Sequence, residues 1–206
     1  IENYINSKLK LCDLVNDNGV ILVNGDDDIC KAIDDPRKKT YGFGSDNYYV
    51  IKDVHFMSNF VKFDVTCKDF TYTVESPLIG KFNIYNAALV LIVGLIKKIE
   101  PKVLLERIKS FKPIDGRMEK LDFGQNYTII LDYAHTYNGI KSVLDCFEGR
   151  HRVILLTGAA GGREKEKRSK IGTLILSRAD YVIFTMDDPR YEKVEAIVAQ
   201  MIGENK

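Results

Sequence analysis

The apolar positions of this chain change their period along its length. Over residues 1–15 the spacing is helical and places Tyr4, Lys8 and Leu11 along one side. Asn16-Asp-Asn-Gly19 is a turn signal, and the short apolar run 20–23 after it reads as a buried strand. That run ends in Asn24-Gly-Asp-Asp27, and Asp28 is placed to cap a short helix through Ile33. From 39 to 74 apolar and polar residues alternate, with runs at 48–51, 61–65 and 70–74, which predicts antiparallel strands. Residues 77–83 read as a loop, 84–99 as a helix apolar nearly all round and hence buried, and 102–110 as a second helix.

Pro and Gly punctuation at 113–116 marks a linker and divides the chain into expected domains 1–112 and 113–206. Beyond it the pattern is strand 127–131, helix 137–147, strand 152–156, a glycine loop, helix 165–177, strand 181–185 and helix 193–202. Such alternation predicts an α/β, doubly wound, Rossmann-like parallel sheet. The run Tyr127-Thr-Ile-Ile-Leu131 breaks directly into Asp132-Tyr-Ala-His135. A strand that ends in Asp, His and Thr delivers polar side chains to the carboxyl edge of a sheet, where open α/β sheets bind ligands. Arg117 lies just before this unit, so a cation and an acid could flank one ligand.

Composition narrows the function classes. The chain is 45% hydrophobic and 29% charged with a net charge of +1, which describes a globular protein with no electrostatic reason to bind nucleic acid. Cys12, Cys30, Cys67 and Cys146 form no C-x-x-C pair and read as reduced cysteines of a cytoplasmic protein. The apolar run 87–96 is shorter than the about 20 residues a membrane span needs, and no signal segment opens the chain. No membrane association is expected, and a monomer is assumed. The first residue is Ile rather than Met, so the chain is expected to be part of something longer.

Six motifs, in order, resemble those of the Mur ligase family, and most nearly its MurE type. Tyr4-x-x-x-Lys8 followed by Leu11 is similar to a family helix whose lysine is carbamylated, with Cys12 where an aromatic is usual. The resemblance makes Lys8 a catalytic residue and a Mg²⁺ ligand, since carbamylation replaces the cation with oxygen donors. Asn24-Gly-Asp-Asp27 resembles a family turn, its two acids being read as turn-formers. Gly80-Lys-Phe-Asn83-Ile-Tyr-Asn86 resembles the helix start that meets adenine, and an amide offers both a donor and an acceptor to such an edge. Asn83 alone could equally be a helix cap, and Asn86 is preferred for the contact.

Gly116-Arg-Met-Glu119 with Asp132-Tyr-Ala-His-Thr136 resembles the start of the family's C-terminal domain, with Tyr137 in place of the usual Pro. The resemblance puts Arg117, Asp132 and His135 at the nucleotide, with Arg117 also catalytic through charge on the transferring phosphoryl group. Gly158-Ala-Ala-Gly-Gly-Arg163 resembles the family's glycine loop, and places Arg163 by the incoming amino acid. Read without the resemblance it is a weak phosphate signal, and Lys165, Lys167 and Lys170 are a solvated face. Asp187-Asp-Pro-Arg190 resembles "D-N-P-R", which reads the side chain of the added diamino acid. Arg190 suits a second carboxylate, as in meso-diaminopimelate, while Asp188 in place of Asn suits the ammonium of lysine. Both stay open, with diaminopimelate preferred.

The resemblance implies an ATP- and Mg-dependent ligase that joins a diamino acid to UDP-muramoyl-dipeptide through an acyl phosphate, in peptidoglycan synthesis. No G-x-x-x-x-G-K-[ST] loop occurs in the sequence, because Gly80-Lys81 is followed by Phe82. The 206 residues alone are therefore expected to be inactive, as the later half of a central ATPase domain followed by an incomplete C-terminal domain. Two alternatives remain: a cyanophycin-synthetase-like or folylpolyglutamate-like ligase, and a non-catalytic nucleotide-binding module.

Overall fold

The computed structural model describes residues 2–57, 59–68, 70–149, 152–162 and 165–203. The chain divides into two compact units, Ile1–Ile79 with Asn83–Lys112, and Gly80–Phe82 with Pro113–Lys206.

The first unit opens on α1 (Glu2–Leu9), shorter than the predicted helix and burying none of its residues. A 3-10 turn at Cys12–Leu14 replaces the rest. The Arg37 guanidinium donates to the carbonyls of Val15 and Cys12, so the backbone after α1 is held by a side chain instead of by further helical turns. Five strands follow: β1 (Ile21–Asn24), β2 (Lys38–Gly42), β3 (Tyr49–Phe56), β4 (Val61–Cys67) and β5 (Phe70–Ser76). They form one sheet in chain order. The predicted alternation holds in β4, where Val61, Phe63 and Val65 point inward and are fully buried.

Two expectations are corrected here. The sheet is mixed, because β1 pairs parallel with β2 and β2 parallel with β3, and only β3–β4–β5 is antiparallel. Parallel neighbours usually need a crossover of about a dozen residues. Residues 43–48 manage the return because Asp26, at the end of β1, takes the backbone N–H groups of Phe43 and Gly44 onto its carboxylate at 2.6 and 2.9 Å. The short α2 (Asp28–Lys31) is capped by Asp27, not Asp28, through the Cys30 N–H at 2.9 Å.

Helix α3 (Lys81–Ile96) starts within the stretch read as a loop, and is one-sided. It buries Ile84, Ala87, Ala88, Leu91 and Ile92 against the sheet, while Val90 and Val93 stay exposed. Pro101 opens α4 (Pro101–Lys109), whose Leu104 and Ile108 complete the core. Gly94 lies under Leu104, where any β-carbon would collide, and that lets α3 and α4 approach closely.

In the second unit β6 (Glu119–Leu121) and β7 (Ile129–Leu131) form an antiparallel hairpin. Helix α5 (Tyr137–Asp145) begins at Thr136, whose hydroxyl accepts the Gly139 N–H. A βαβ unit follows, with β8 (Ile154–Thr157), α6 (Lys165–Arg178) and β9 (Tyr181–Phe184), the two strands being parallel as predicted. Helix α7 (Val194–Ile202) packs on α6. Ile140, Leu144, Ile171, Leu174, Ile175, Ile197 and Met201 form the core, with Leu155, Val182 and Phe184 packed against it. The α/β class holds, but among the described residues β7 pairs with β6 and β8 with β9, as separate two-stranded sheets. The three-residue β7 is too short to extend the sheet, since its end is drawn into the turn around Asp132 described below. No described helix is long and apolar enough to cross a membrane.

Candidate functional site

In the first unit, Asn83 falls in the first turn of α3 and is buried; its amide donates to the Ile79 carbonyl at 2.9 Å. It accepts from Asn86 Nδ2 at 3.3 Å. The pair shares one side of the turn, as its spacing requires, but Asn83 is spent on the fold. Asn86 is exposed and better placed to meet a ligand edge. Between them Tyr85 donates its hydroxyl to Asp26 at 2.7 Å. The Asp26 carboxylate, which also accepts Asn47 Nδ2 at 2.9 Å, is thereby held below its usual pKa despite partial burial, while desolvation and Asp26 push Tyr85 up. Asp26 was read as a turn residue; its four donors also tie β1 to the β2–β3 loop and the start of α3.

Lys8 is exposed on α1, its ammonium 5.5 Å from the Tyr4 ring centroid one turn earlier. A free ammonium cannot ligate a cation, so a carbamate is what would make it a ligand. Among the described residues no three His, Cys, Asp or Glu side chains gather as a metal cluster.

In the second unit the two motifs at its start are brought together. Asp132 accepts the Met118 N–H with one oxygen and the Ala134 N–H with the other, both at 2.8 Å. Glu119 accepts the Gly116 N–H at 2.7 Å, and the Tyr133 N–H donates to the Gly116 carbonyl at 2.9 Å. Gly116 and Met118 both have positive φ, 69° and 49°, which a sharp turn requires. The Arg117 guanidinium lies 5.2 Å from the Tyr133 ring centroid, and His135 meets the same ring edge-on at 5.6 Å. Its Nδ1 is 3.1 Å from the Tyr133 carbonyl. Arg117, Tyr133 and His135 are thus an exposed row, with Asp132 as its brace.

The glycine loop and the Asp-Asp-Pro-Arg turn are also joined. Gly161 donates its N–H to the Asp188 carbonyl at 2.7 Å, and a β-carbon there would run into the Pro189 carbonyl. Gly158 is also close to the backbone of that turn, where a β-carbon would crowd the Thr185 carbonyl. Arg190 has a φ of 50°, rare for a side-chain-bearing residue, and its Nε is 3.4 Å from the Asp188 carboxylate. Asp187 is exposed on the same turn, and Arg163 lies outside the described residues.

Two residues were given no role from the sequence, Arg168 standing there only as the end of the basic helix start and Glu192 not being singled out. Arg168 is buried, and Glu192 pairs with it at 2.8 Å while accepting the Gly162 N–H at 2.6 Å. These partners hold the Glu192 carboxyl down at about 2. The only signal was an arginine on the apolar side of α6, three residues before Ile171.

The family model of the Mur ligase middle domain matches residues 1–94, and that of the Mur ligase glutamate ligase domain matches residues 116–206. The chain belongs to the Mur ligase family. It is similar to the UDP-N-acetylmuramoyl-L-alanyl-D-glutamate–2,6-diaminopimelate ligase of Solibacter usitatus, 37% identical over 67% of this chain and 29% of that protein. It is also similar to the corresponding L-lysine ligase of Staphylococcus aureus, 30% identical over 92% of this chain and 39% of that protein. A solved structure of a diaminopimelate ligase superposes with a TM-score of 0.56 at 28% identity, over 90% of this chain and 40% of that one. This Mur ligase chain therefore spans well under half the length of these relatives.

Proposed function

We propose that the whole protein is an ATP-dependent, MurE-type ligase that adds a diamino acid, meso-diaminopimelate or L-lysine, to UDP-N-acetylmuramoyl-L-Ala-D-Glu in peptidoglycan synthesis. The observation that carries this reading is the Gly161–Asp188 hydrogen bond, which makes the glycine loop and the Asp-Asp-Pro-Arg turn one surface. The named relatives support it, since they act on these two amino acids. Bound ATP would supply the phosphoryl group that activates a precursor carboxylate as an acyl phosphate, from which the incoming amine displaces phosphate.

The chain's own residues divide the work. Asn86, backed by Asn83, offers a donor and an acceptor to adenine. Asp132 fixes the turn that presents Arg117 and His135 to the nucleotide, and Arg117 offsets phosphoryl charge. Lys8, once carbamylated, contributes an oxygen to Mg²⁺. Arg163 with Asp187, Asp188 and Arg190 receives the amino acid, Arg190 as the fork for a carboxylate. The soluble phase that such substrates occupy makes the cytoplasm the expected site of action.

The test is calorimetric titration of the chain with meso-diaminopimelate and with L-lysine, beside Arg190→Ala. Saturable binding of one of them, weakened about tenfold or more in the variant, is the expected result, from loss of a charge-assisted fork. Equal binding of both amino acids by wild type and variant would sink the assignment. Lacking a G-x-x-x-x-G-K-[ST] loop, the 206 residues are expected to release no ADP by themselves.

A further inference from the structure

Among the described residues Arg168 is the one charged side chain in the buried set, with 2% exposure. Desolvating a guanidinium is costly unless its donors are met. Here four contacts meet them. Nη1 donates to Glu192 at 2.8 Å and to Gln200 of α7 at 2.6 Å. Nη2 donates to the Ala160 carbonyl at 2.8 Å and to the second Glu192 oxygen at 3.0 Å. Only Nε is left without a partner. A leucine at this position on α6 would fill the same space without that demand, so packing alone does not account for an arginine.

What the fork joins gives it a purpose. Ala160 belongs to the glycine loop, and Glu192 reaches the same loop again through the Gly162 N–H. The backbone N–H of Glu192 donates to the Pro189 carbonyl at 2.9 Å, closing the turn on which Arg190 sits with its positive φ. One buried cation therefore spans both loops and α7. We infer that Arg168 is a positioning residue for amino-acid selection: through Glu192 it locks the glycine loop to the Asp-Asp-Pro-Arg turn, so that Arg190 is held ready for the ligand's carboxylate. The inference rests on the amino-acid reading of that turn. Lysine at 168 would keep the charge but lose the fork, since one ammonium cannot reach the paired oxygens and the Ala160 carbonyl in the same geometry.

The experiment uses the 206-residue chain with Arg168→Lys and Glu192→Gln beside wild type. Amide hydrogen exchange at Gly162 is compared with that at Ile175 in the core, and affinities for meso-diaminopimelate, L-lysine and ADP are measured by titration. In both variants Gly162 should exchange about tenfold or more faster with Ile175 unchanged, and the amino acid should bind about tenfold or more weakly with ADP within about twofold. A purely structural role would weaken nucleotide and amino acid alike, or loosen Ile175 along with Gly162, and either pattern overturns the inference. So does a variant chain that keeps Gly162 protected, or that binds the amino acid as wild type does. If the wild-type chain binds neither amino acid, the substrate reading fails separately, and Gly162 exchange alone then decides whether the lock exists.

Discussion

The two units of this chain solve the same problem with different materials. In the first, a mixed sheet and α3 exclude water almost completely: Val61, Phe63, Val65, Val74, Ala88, Leu91 and Ile92 are all at 0% exposure. Its polar pin, Asp26, sits at the rim, where its carboxylate organises a loop. In the second unit Ile175 and Met201 reach 0%, and a charged side chain, Arg168, is buried with them. One face of its β8–β9 pair packs on helices, and the other leaves Ile154, Leu156, Tyr181 and Ile183 exposed. The lesson is that the first unit draws its order from apolar packing, whereas the second depends on polar joints between loops.

The largest effect should come from breaking the apolar unit. Phe63→Ala removes a fully buried ring from β4 and should cost about 3–5 kcal/mol by urea unfolding, with the transition of the first unit moving most. A loss below about 1 kcal/mol would mean that this core collapses around the cavity, and the contrast with the second unit would fade.

Gly172→Ala probes the second unit at its tightest point. A β-carbon there would run into the Met201 carbonyl, so α6 and α7 must separate. Backbone cannot yield as a flexible side chain can, and a cost of about 1–3 kcal/mol is expected by thermal unfolding. A neutral substitution would show that the crossing is loose.

Much of this was legible beforehand, for identifiable reasons. Strong periodicity located β4, β5, α6 and the β8–α6–β9 unit, because burial of one face imposes its period on the residues. Pairing partners were less accessible. The parallel placement of β2 beside β3 depends on Asp26 reaching across to Phe43 and Gly44, a long-range hydrogen bond that leaves no period. The candidate site divides in the same way. Asn83 with Asn86, and Asp188 with Arg190, are local pairs that spacing reveals. Arg168 and Glu192 lie 24 positions apart, and no spacing in the sequence links the end of the basic helix start to an acid beyond the next strand.

Tyr85→Phe tests the rim pin. It deletes the phenol that donates to Asp26 and should cost about 1 kcal/mol at neutral pH. The pH dependence follows from the sign of the shift. Asp26 has a depressed folded-state pKa, so its contribution is fully present above the ordinary carboxylate value of 3.8 and is lost as pH falls through the lower folded value. Without the phenol the depression shrinks, so in the variant the acid-induced loss starts from the same upper value but is smaller and is complete at a higher pH. Superimposable acid unfolding curves for the two proteins would remove Asp26 as a stabilising pin.

Ile183→Ser should have the smallest effect on folding, and it is the sharpest check on the contrast. In β4 an inward residue such as Val65 has lost all contact with water, whereas Ile183 in β9 is 45% exposed. The apolar area that folding removes from water at Ile183 is correspondingly small, so the change in unfolding free energy should stay within about 0.5 kcal/mol. The substitution also interrupts the exposed apolar row formed with Ile154, Leu156 and Tyr181, and such rows promote association. Light scattering at high concentration should therefore improve while the melting temperature stays put. A drop of several degrees instead would mean that this face is packed in solution, and the second unit would then resemble the first more closely than its exposures indicate.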